Sequence, residues 1–206
     1  MVHWKLIQVQ NCFLNTRGFL LPTASGNRQL NMAIVEKIRS LFYPLPEPDV
    51  IIPAPQTSYA IRPLTATHIL EVVKLNARCF KRGENYSKGT FNYLLTLPNS
   101  LAYRAVTPTE NMVGFIVVTV PENSVAHLAT IGVSPEHRRR GIAEKLLFHT
   151  ENSLKKRRIS MLSLEVRVSN ITAQSLYREL GYFVTQRKNK YYTNGEDGFM
   201  MIKSLY

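Results

Sequence analysis

A chain of 206 residues, 45% of them apolar and with 10 tyrosines and 9 phenylalanines, can build a sizeable core and is too apolar for a disordered polypeptide. Its net charge of +12 calls for anionic partners, among them a polyphosphate co-substrate, an acidic peptide, nucleic acid or ribosomes, without choosing between them. The cysteines Cys12 and Cys79 lie far apart, the histidines lack ligand spacing, and no apolar run is long enough to span a bilayer. A reducing, cytoplasmic setting is therefore expected, with no bound metal and no membrane.

In chain order, residues 1–35 carry Lys5, Arg17 and Arg28 and no acid, and polar residues interrupt every apolar stretch, so a secretory leader is not expected. A poorly ordered tail is the favoured reading; an acid-poor organellar targeting segment over residues 1–31, or an extension upstream of a start at Met32, are the alternatives. Ile34, Ile38 and Leu41 give Met32–Tyr43 a helical period, and Pro44, Pro46, Pro48, Pro53 and Pro55 set an extended connector. The expected division is an N-terminal extension and linker, residues 1–58, and a domain of residues 59–206.

Tyr59–Leu64 alternates as a strand, and Thr65 or Thr67 can cap the helix after it, which buries Ile69, Val72, Val73, Leu75 and Cys79. After a break at residues 81–86, a second helix carries Phe91, Leu94 and Leu95. Leu101–Val106 and Val113–Val120 form a hairpin about Pro108–Asn111. His127–Val133 is a strand, Ile142–Leu154 a helix with basic residues at its C-terminal end, and Met161–Val168 a strand. Asn170–Thr172 caps a helix over Ala173–Leu180, Gly181 stops it, and strands follow near Tyr182–Arg187 and Phe199–Lys203. This is an α/β pattern with a mixed sheet.

Two stretches carry chemistry. The first is IGVSPEHRRRGIAEKLL, Ile131–Leu147: a strand, a basic glycine-containing loop and a helix N-terminus in succession. The first turn of a helix leaves N–H groups unpaired at the positive end of its dipole, which suits a phosphate, and Gly141 and Ala143 keep side chains out of the approach. The spacing Arg138-x-x-Gly141-x-Ala143 resembles the acetyl-CoA pyrophosphate loop of the GNAT N-acetyltransferases. The second is LEVRVSNITAQSLYRELGY, Leu164–Tyr182, and with KYYTNGED, Lys190–Asp197, it resembles the members of that superfamily that acetylate ribosomal proteins and protein N-termini.

The resemblance implies a GNAT fold, a mixed and mostly antiparallel sheet flanked by helices, over Tyr59 to the C-terminus. It implies acetyl-CoA as co-substrate, held by Ile131, Gly132, Val133, Arg138, Arg139, Arg140, Gly141, Ile142, Ala143 and Asn170. It also implies Glu165 as the proton acceptor, Tyr177 as the donor to the departing thiolate, and Glu84, Tyr86, Tyr191 and Tyr192 as the lining of the peptide site. The bland alternatives are an outward Glu165 paired with Arg167, Tyr177 as ordinary core, Asn170 as an N-cap, and a packed tyrosine pair. The expected partner is a protein or peptide N-terminus, with ribosome association and no specific nucleic acid. Acetylation of a small-molecule amine or lysine side chain is the rival within the chemistry. A non-catalytic basic adaptor for ribosomes or RNA is the rival outside it.

Overall fold

The computed structural model describes residues 50–80, 85–121 and 125–206; the expected helix at Met32–Tyr43, the targeting reading of residues 1–31 and Glu84, expected to line the peptide site, lie outside them. The elements run β1 (Ala60–Pro63), α1 (Ile69–Cys79), α2 (Lys88–Thr96), β2 (Ser100–Val106), β3 (Met112–Thr119), β4 (Val125–Val133), α3 (Ile142–Lys156), β5 (Met161–Arg167), α4 (Ile171–Glu179), β6 (Phe183–Lys188) and β7 (Gly198–Ser204). Seven strands form one sheet in the order β1-β2-β3-β4-β5-β7-β6, and every neighbouring pair is antiparallel except β4–β5. The mixed, mostly antiparallel sheet expected from the sequence is thus present, with helices on both faces. No helix among the described residues is long and apolar enough to cross a membrane.

Every residue of β3 is buried, as a central strand covered on both faces requires. On one face Val72 and Leu75 of α1 and Phe91 and Leu94 of α2 pack on Phe115 and Val117. On the other, Leu146, Leu147 and Leu154 of α3 and Tyr177 of α4 meet Ile116, Val118, Leu128, Leu162 and Leu164. Helix ends follow their capping chemistry. Ser87 Oγ accepts from the Thr90 amide at 3.1 Å, and Asn170 Oδ1 accepts from the Ala173 amide at 3.1 Å. The Asn170 cap starts α4 at Ile171, ahead of the expected Ala173, and Gly181 ends it at φ +89°.

Two features of β4 set up the site. Its ladder to β3 slips between Val117↔Thr130 and Val118↔Leu128, a bulge that leaves Ala129 as an extra residue. Ala126 and Leu128 face α3, Ala129 faces α1 and α2, and Ile131 and Val133 return to the α3 side. Then the parallel pairing of β4 with β5 covers three pairs and stops at His127↔Ser163. Beyond it β4 stays on β3 as far as Val133↔Gly114, and β5 stays on β7 as far as Arg167↔Gly198. The facing edges of β4 and β5 therefore part in the middle of the sheet.

Gly132 holds this opening strand against α1: a Cβ there would sit 2.6 Å from the Phe115 ring and 3.1 Å from Cys79 Sγ. Gly132→Ala should destabilise the protein by about 1–3 kcal/mol, since a buried ring must move. Urea denaturation of the two proteins measures the difference.

Candidate active site

Glu165 follows the last β4–β5 pair by two residues, on the face of the sheet that α1 and α2 cover. Its Oε2 accepts from His127 Nε2 at 2.6 Å, and its Oε1 accepts from Lys188 Nζ at 2.5 Å. The Glu165 side chain is 11% exposed. Burial pushes its carboxyl up, but His127 and then Lys188, by hydrogen bonding and charge together, outweigh this and hold it at about 2. Tyr191 lies against the same carboxylate, its phenol pushed up first by burial and then by the Glu165 charge. The ring of Tyr191 carries Lys188 Nζ 4.9 Å from its centroid. Tyr86 closes the group; its hydroxyl donates to the Ala129 carbonyl at 2.9 Å, and burial and then Glu165 raise it too.

The structure brings Glu165, Tyr86 and Tyr191 together and adds His127 and Lys188 to them. Of the two, His127 was legible only as a polar residue on a strand. Lys188 reaches Glu165 across β7, a contact between residues 23 apart that no local pattern announces. Tyr192 turns elsewhere. The Arg167 guanidinium stacks on its ring at 3.8 Å and bonds Glu196 Oε2 at 2.5 Å, so the expected alternative of Arg167 paired with Glu165 is not what forms.

Tyr177 occupies the opposite face. It is 6% exposed within the α3–α4 core, edge-to-face with Tyr182 at 5.6 Å, and burial alone pushes its phenol well up. Its hydroxyl bonds to no group among the described residues. Asn170 is an exposed N-cap, as either reading of it allows. Glu165 and Tyr177 therefore lie on opposite faces of the sheet.

The basic loop is held in an open shape before any anion arrives. Arg139 and Gly141 both have left-handed backbone, φ +62° and +69°, so the chain folds sharply into α3. Arg138 donates to the carbonyls of Val133 and Cys79, each at 3.3 Å. Arg140 donates to Pro55 O at 2.8 Å, to the Tyr59 hydroxyl at 2.9 Å and to Ala54 O. Ser134 and Arg78 anchor Glu136 under the loop at 2.5 and 2.6 Å. Two arginines thus shape the loop through their heads, Arg139 is exposed, and the first-turn amides of Ile142 and Ala143 have no intrahelical acceptor. A groove of about 320 Å³ runs from Gly141 past Phe148 to Leu180, between α3 and the end of α4. Parted strands on one side of a positive-ended helix suit an extended, amide-bearing thioester with a pyrophosphate. Among the described residues no three His, Cys, Asp or Glu side chains could hold a metal ion.

The sequence profile of the acetyltransferase (GNAT) family matches residues 69–182, from α1 through the end of α4. The chain is 31% identical to the N-terminal acetyltransferase A complex catalytic subunit NAA10 of Arabidopsis thaliana over 150 residues, 70% of this chain and 77% of that one. It is 36% identical to the ribosomal protein bS18-alanine N-acetyltransferase of Escherichia coli K12 over 123 residues, 58% of this chain and 72% of the relative. Among solved structures, the ribosomal-protein-S18-alanine N-acetyltransferase from Escherichia coli superposes with a TM-score of 0.66 at 28% identity, covering 72% of this chain and 94% of that one. The NatC complex bound to Gag peptide and CoA gives 0.64 at 26% identity, covering 72% and 99%.

The two ion-pair partners of Glu165 make a prediction about acid stability. A carboxyl held at about 2 in the fold, against an ordinary value near ~4.3 in the unfolded chain, stabilises the protein above the unfolded value. That contribution is lost as pH falls through the window down to about 2. Glu165→Gln should be less stable than the parent at pH 6 by about 1–3 kcal/mol, and the gap should narrow steadily below pH 4 to a minor fraction of that by pH 2.5. Urea titrations of both proteins across that range measure it.

Proposed function

The chain belongs to the acetyltransferase (GNAT) family and is an acyltransferase, and on that premise we propose that it transfers acetyl from acetyl-CoA to the α-amine of protein N-termini, by direct attack with both substrates bound. The observation that carries this reading is the parting of β4 and β5 with Glu165–His127 on one face and Tyr177 on the other. Relatives named for acting on protein N-termini, NAA10 and the bS18-alanine enzyme, support the choice of amine. Association with ribosomes belongs to the same proposal, favoured by a net charge of +12.

The side chains divide the work as follows. The amides of the Arg138–Ala143 turn hold the pyrophosphate, and the open edge of β4 at Ile131–Val133 meets the thioester arm. The Val133 amide serves as a donor to the oxyanion. Tyr86 and Tyr191 wall the entry of the peptide, whose ammonium displaces Lys188 from Glu165. A peptide ammonium has an ordinary pKa near ~8, so handing its proton to a carboxylate held at about 2 would be roughly 8 kcal/mol uphill. The acceptor is therefore the Glu165–His127 pair: the carboxylate binds the ammonium and orients the imidazole bonded to it. Departure of Lys188 also removes one of the causes that depress Glu165. Tyr177, harder to ionise than an ordinary phenol, acts on the departing thiolate mainly as a hydrogen-bond donor.

A library of short peptides varied at their first two residues, incubated with acetyl-CoA and read by mass spectrometry beside N-terminally blocked copies, tests the reaction. Modification confined to free α-amines is the expected result; acetylation of blocked peptides, or of small amines alone, overturns it. Glu165→Gln should lower kcat by about 10²–10⁴ and Tyr177→Phe by roughly 10–100, each with little change in acetyl-CoA affinity. Gly141→Val should do the opposite, weakening acetyl-CoA binding through a side chain forced into left-handed backbone at the phosphate turn. Steady-state kinetics and calorimetric titration separate the two effects.

A further inference from the structure

The far end of α3 carries a second concentration of positive charge. Lys155, Lys156, Arg157 and Arg158 follow one another there, and all are exposed. With 15 residues in α3 at ~1.5 Å each, they stand roughly 22 Å along the helix from the turn at Gly141, too far to serve the pyrophosphate. A basic run at a helix end has two ordinary uses, to complement the dipole and to pair with acids one turn back. Lys155 and Lys156, in the last turn, meet the first. The second does not form. Glu151, one turn before Lys155, is 5% exposed and turned inward, where Tyr182 and Lys203 bond its two oxygens at 2.8 and 2.6 Å. Asn152, Ser153 and Leu154 stand one turn before the other three cations. Among the described residues no acid lies within ion-pair distance of Lys155, Lys156, Arg157 or Arg158.

The backbone at Arg158 is the second observation. The Ile159 amide donates to the Leu154 carbonyl at 3.1 Å and the Arg158 amide to the Lys155 carbonyl at 2.9 Å, the paired bonds of a helix that ends in left-handed backbone. Arg158 has φ +60°, at the position where glycine is least strained. The chain therefore keeps a solvated cation where folding alone favours no side chain. Tyr206 lies beside it. Its hydroxyl donates to the Lys155 carbonyl at 3.1 Å while its ring stays open, the residue being 75% exposed. Leu205, buried and bonded through its amide to the Ser160 carbonyl at 2.8 Å, anchors that aromatic in place.

We propose that the C-terminal end of α3 is a docking surface for single-stranded RNA, with the run Lys155–Arg158 on its phosphates and the Tyr206 ring against a base. An anionic membrane fits less well, because the apolar face of α3, Leu146, Leu147 and Leu154, is buried in the core and not offered to lipid. RNA in place of DNA rests on the reading that the substrate is a protein N-terminus, since new chains emerge from an RNA-built machine; the surface itself does not depend on that reading. RNA held there leaves the phosphate turn and the Glu165 face open, so both substrates can still enter.

The test is fluorescence anisotropy of the whole chain with a fluorescein-labelled oligouridine of about 12 nucleotides. Four phosphate contacts predict binding about 50-fold weaker at ~200 mM than at ~50 mM salt. Arg158→Gly should raise the urea midpoint yet weaken RNA binding about 5-fold at ~0.1 M salt, opposite signs that a misfolded variant cannot give. Tyr206→Ser should weaken binding about 5-fold with the salt dependence unchanged. Saturating acetyl-CoA should leave RNA affinity as it was. RNA binding by Arg158→Gly as tight as the parent's overturns the inference, as does competition by acetyl-CoA, which would put the RNA on the phosphate turn, or capture by phosphatidylserine vesicles without RNA binding. Tighter binding of oligothymidine DNA overturns the choice of RNA. No RNA binding by a sample that acetylates peptides overturns the inference alone; RNA binding by a sample that acetylates none overturns the N-terminal reading and leaves the surface standing.

Discussion

The end of the β4–β5 ladder at His127↔Ser163 is the constraint on which the site depends. A sheet with every edge satisfied would carry core from α1–α2 on one face and from α3–α4 on the other, with nothing passing between. Parting two central strands leaves backbone groups facing a narrow opening, and a buried group without a partner costs about 1–3 kcal/mol. The surroundings limit that cost. The bulge at Ala129 turns its carbonyl to the Tyr86 hydroxyl, and Gly132 lets β4 lie against Phe115 and Cys79 without a side chain between them. Under the proposed function, the remaining edge is met by the amides of the acetyl donor, so the cost of the opening is offset when the substrate is bound.

Electrostatics follow from the same opening. Glu165 is a largely enclosed carboxylate in a chain of net charge +12, and its two cationic or proton-bearing partners come from strands on either side of β5. His127 arrives from β4 directly, and Lys188 from β6 over β7. Neither can be removed without leaving the buried charge less well satisfied, which ties the stability of this region to the state of its centre. Cys79 lies close by but is outside the chemistry: burial pushes its thiol to about 11, so it remains protonated and packs as a small apolar group.

Much of this was legible in the sequence where the cause is local. The turn at Gly141, the Asn170 cap and the Gly181 stop each depend on a few consecutive residues, and each sits where the pattern put it. The KYYTNGED stretch has an equally local logic. Gly195 turns at φ +82°, the Asp197 carboxylate accepts from the Lys190 amide at 2.8 Å, and Glu196 accepts from the Ser169 amide at 2.9 Å. What the sequence hid is long-range. Strict alternation along β4 breaks at a bulge, so the face of His127 could not be counted from Val133. Arg138 and Arg140 read as charge for a phosphate, whereas their heads bond carbonyls 59 and 85 or more residues away.

That last difference changes how the anion site works. Three free guanidiniums on a short turn would repel one another and lose side-chain entropy on gathering a phosphate. With Arg138 tied to α1 and β4, and Arg140 to the linker at Ala54–Pro55 and Tyr59, those costs are met during folding. The backbone then enters α3 with its amides already aligned, and the positive charge remains near enough to favour an anion without needing to move. The Ala54 amide also donates to the Glu136 carbonyl at 3.0 Å, so the Ala54–Pro55 segment is bonded to both sides of the turn. Pro53 and Pro55 thus serve a second purpose beyond spacing: a stiff chain loses little entropy when it is strapped along a loop whose shape must be fixed in advance.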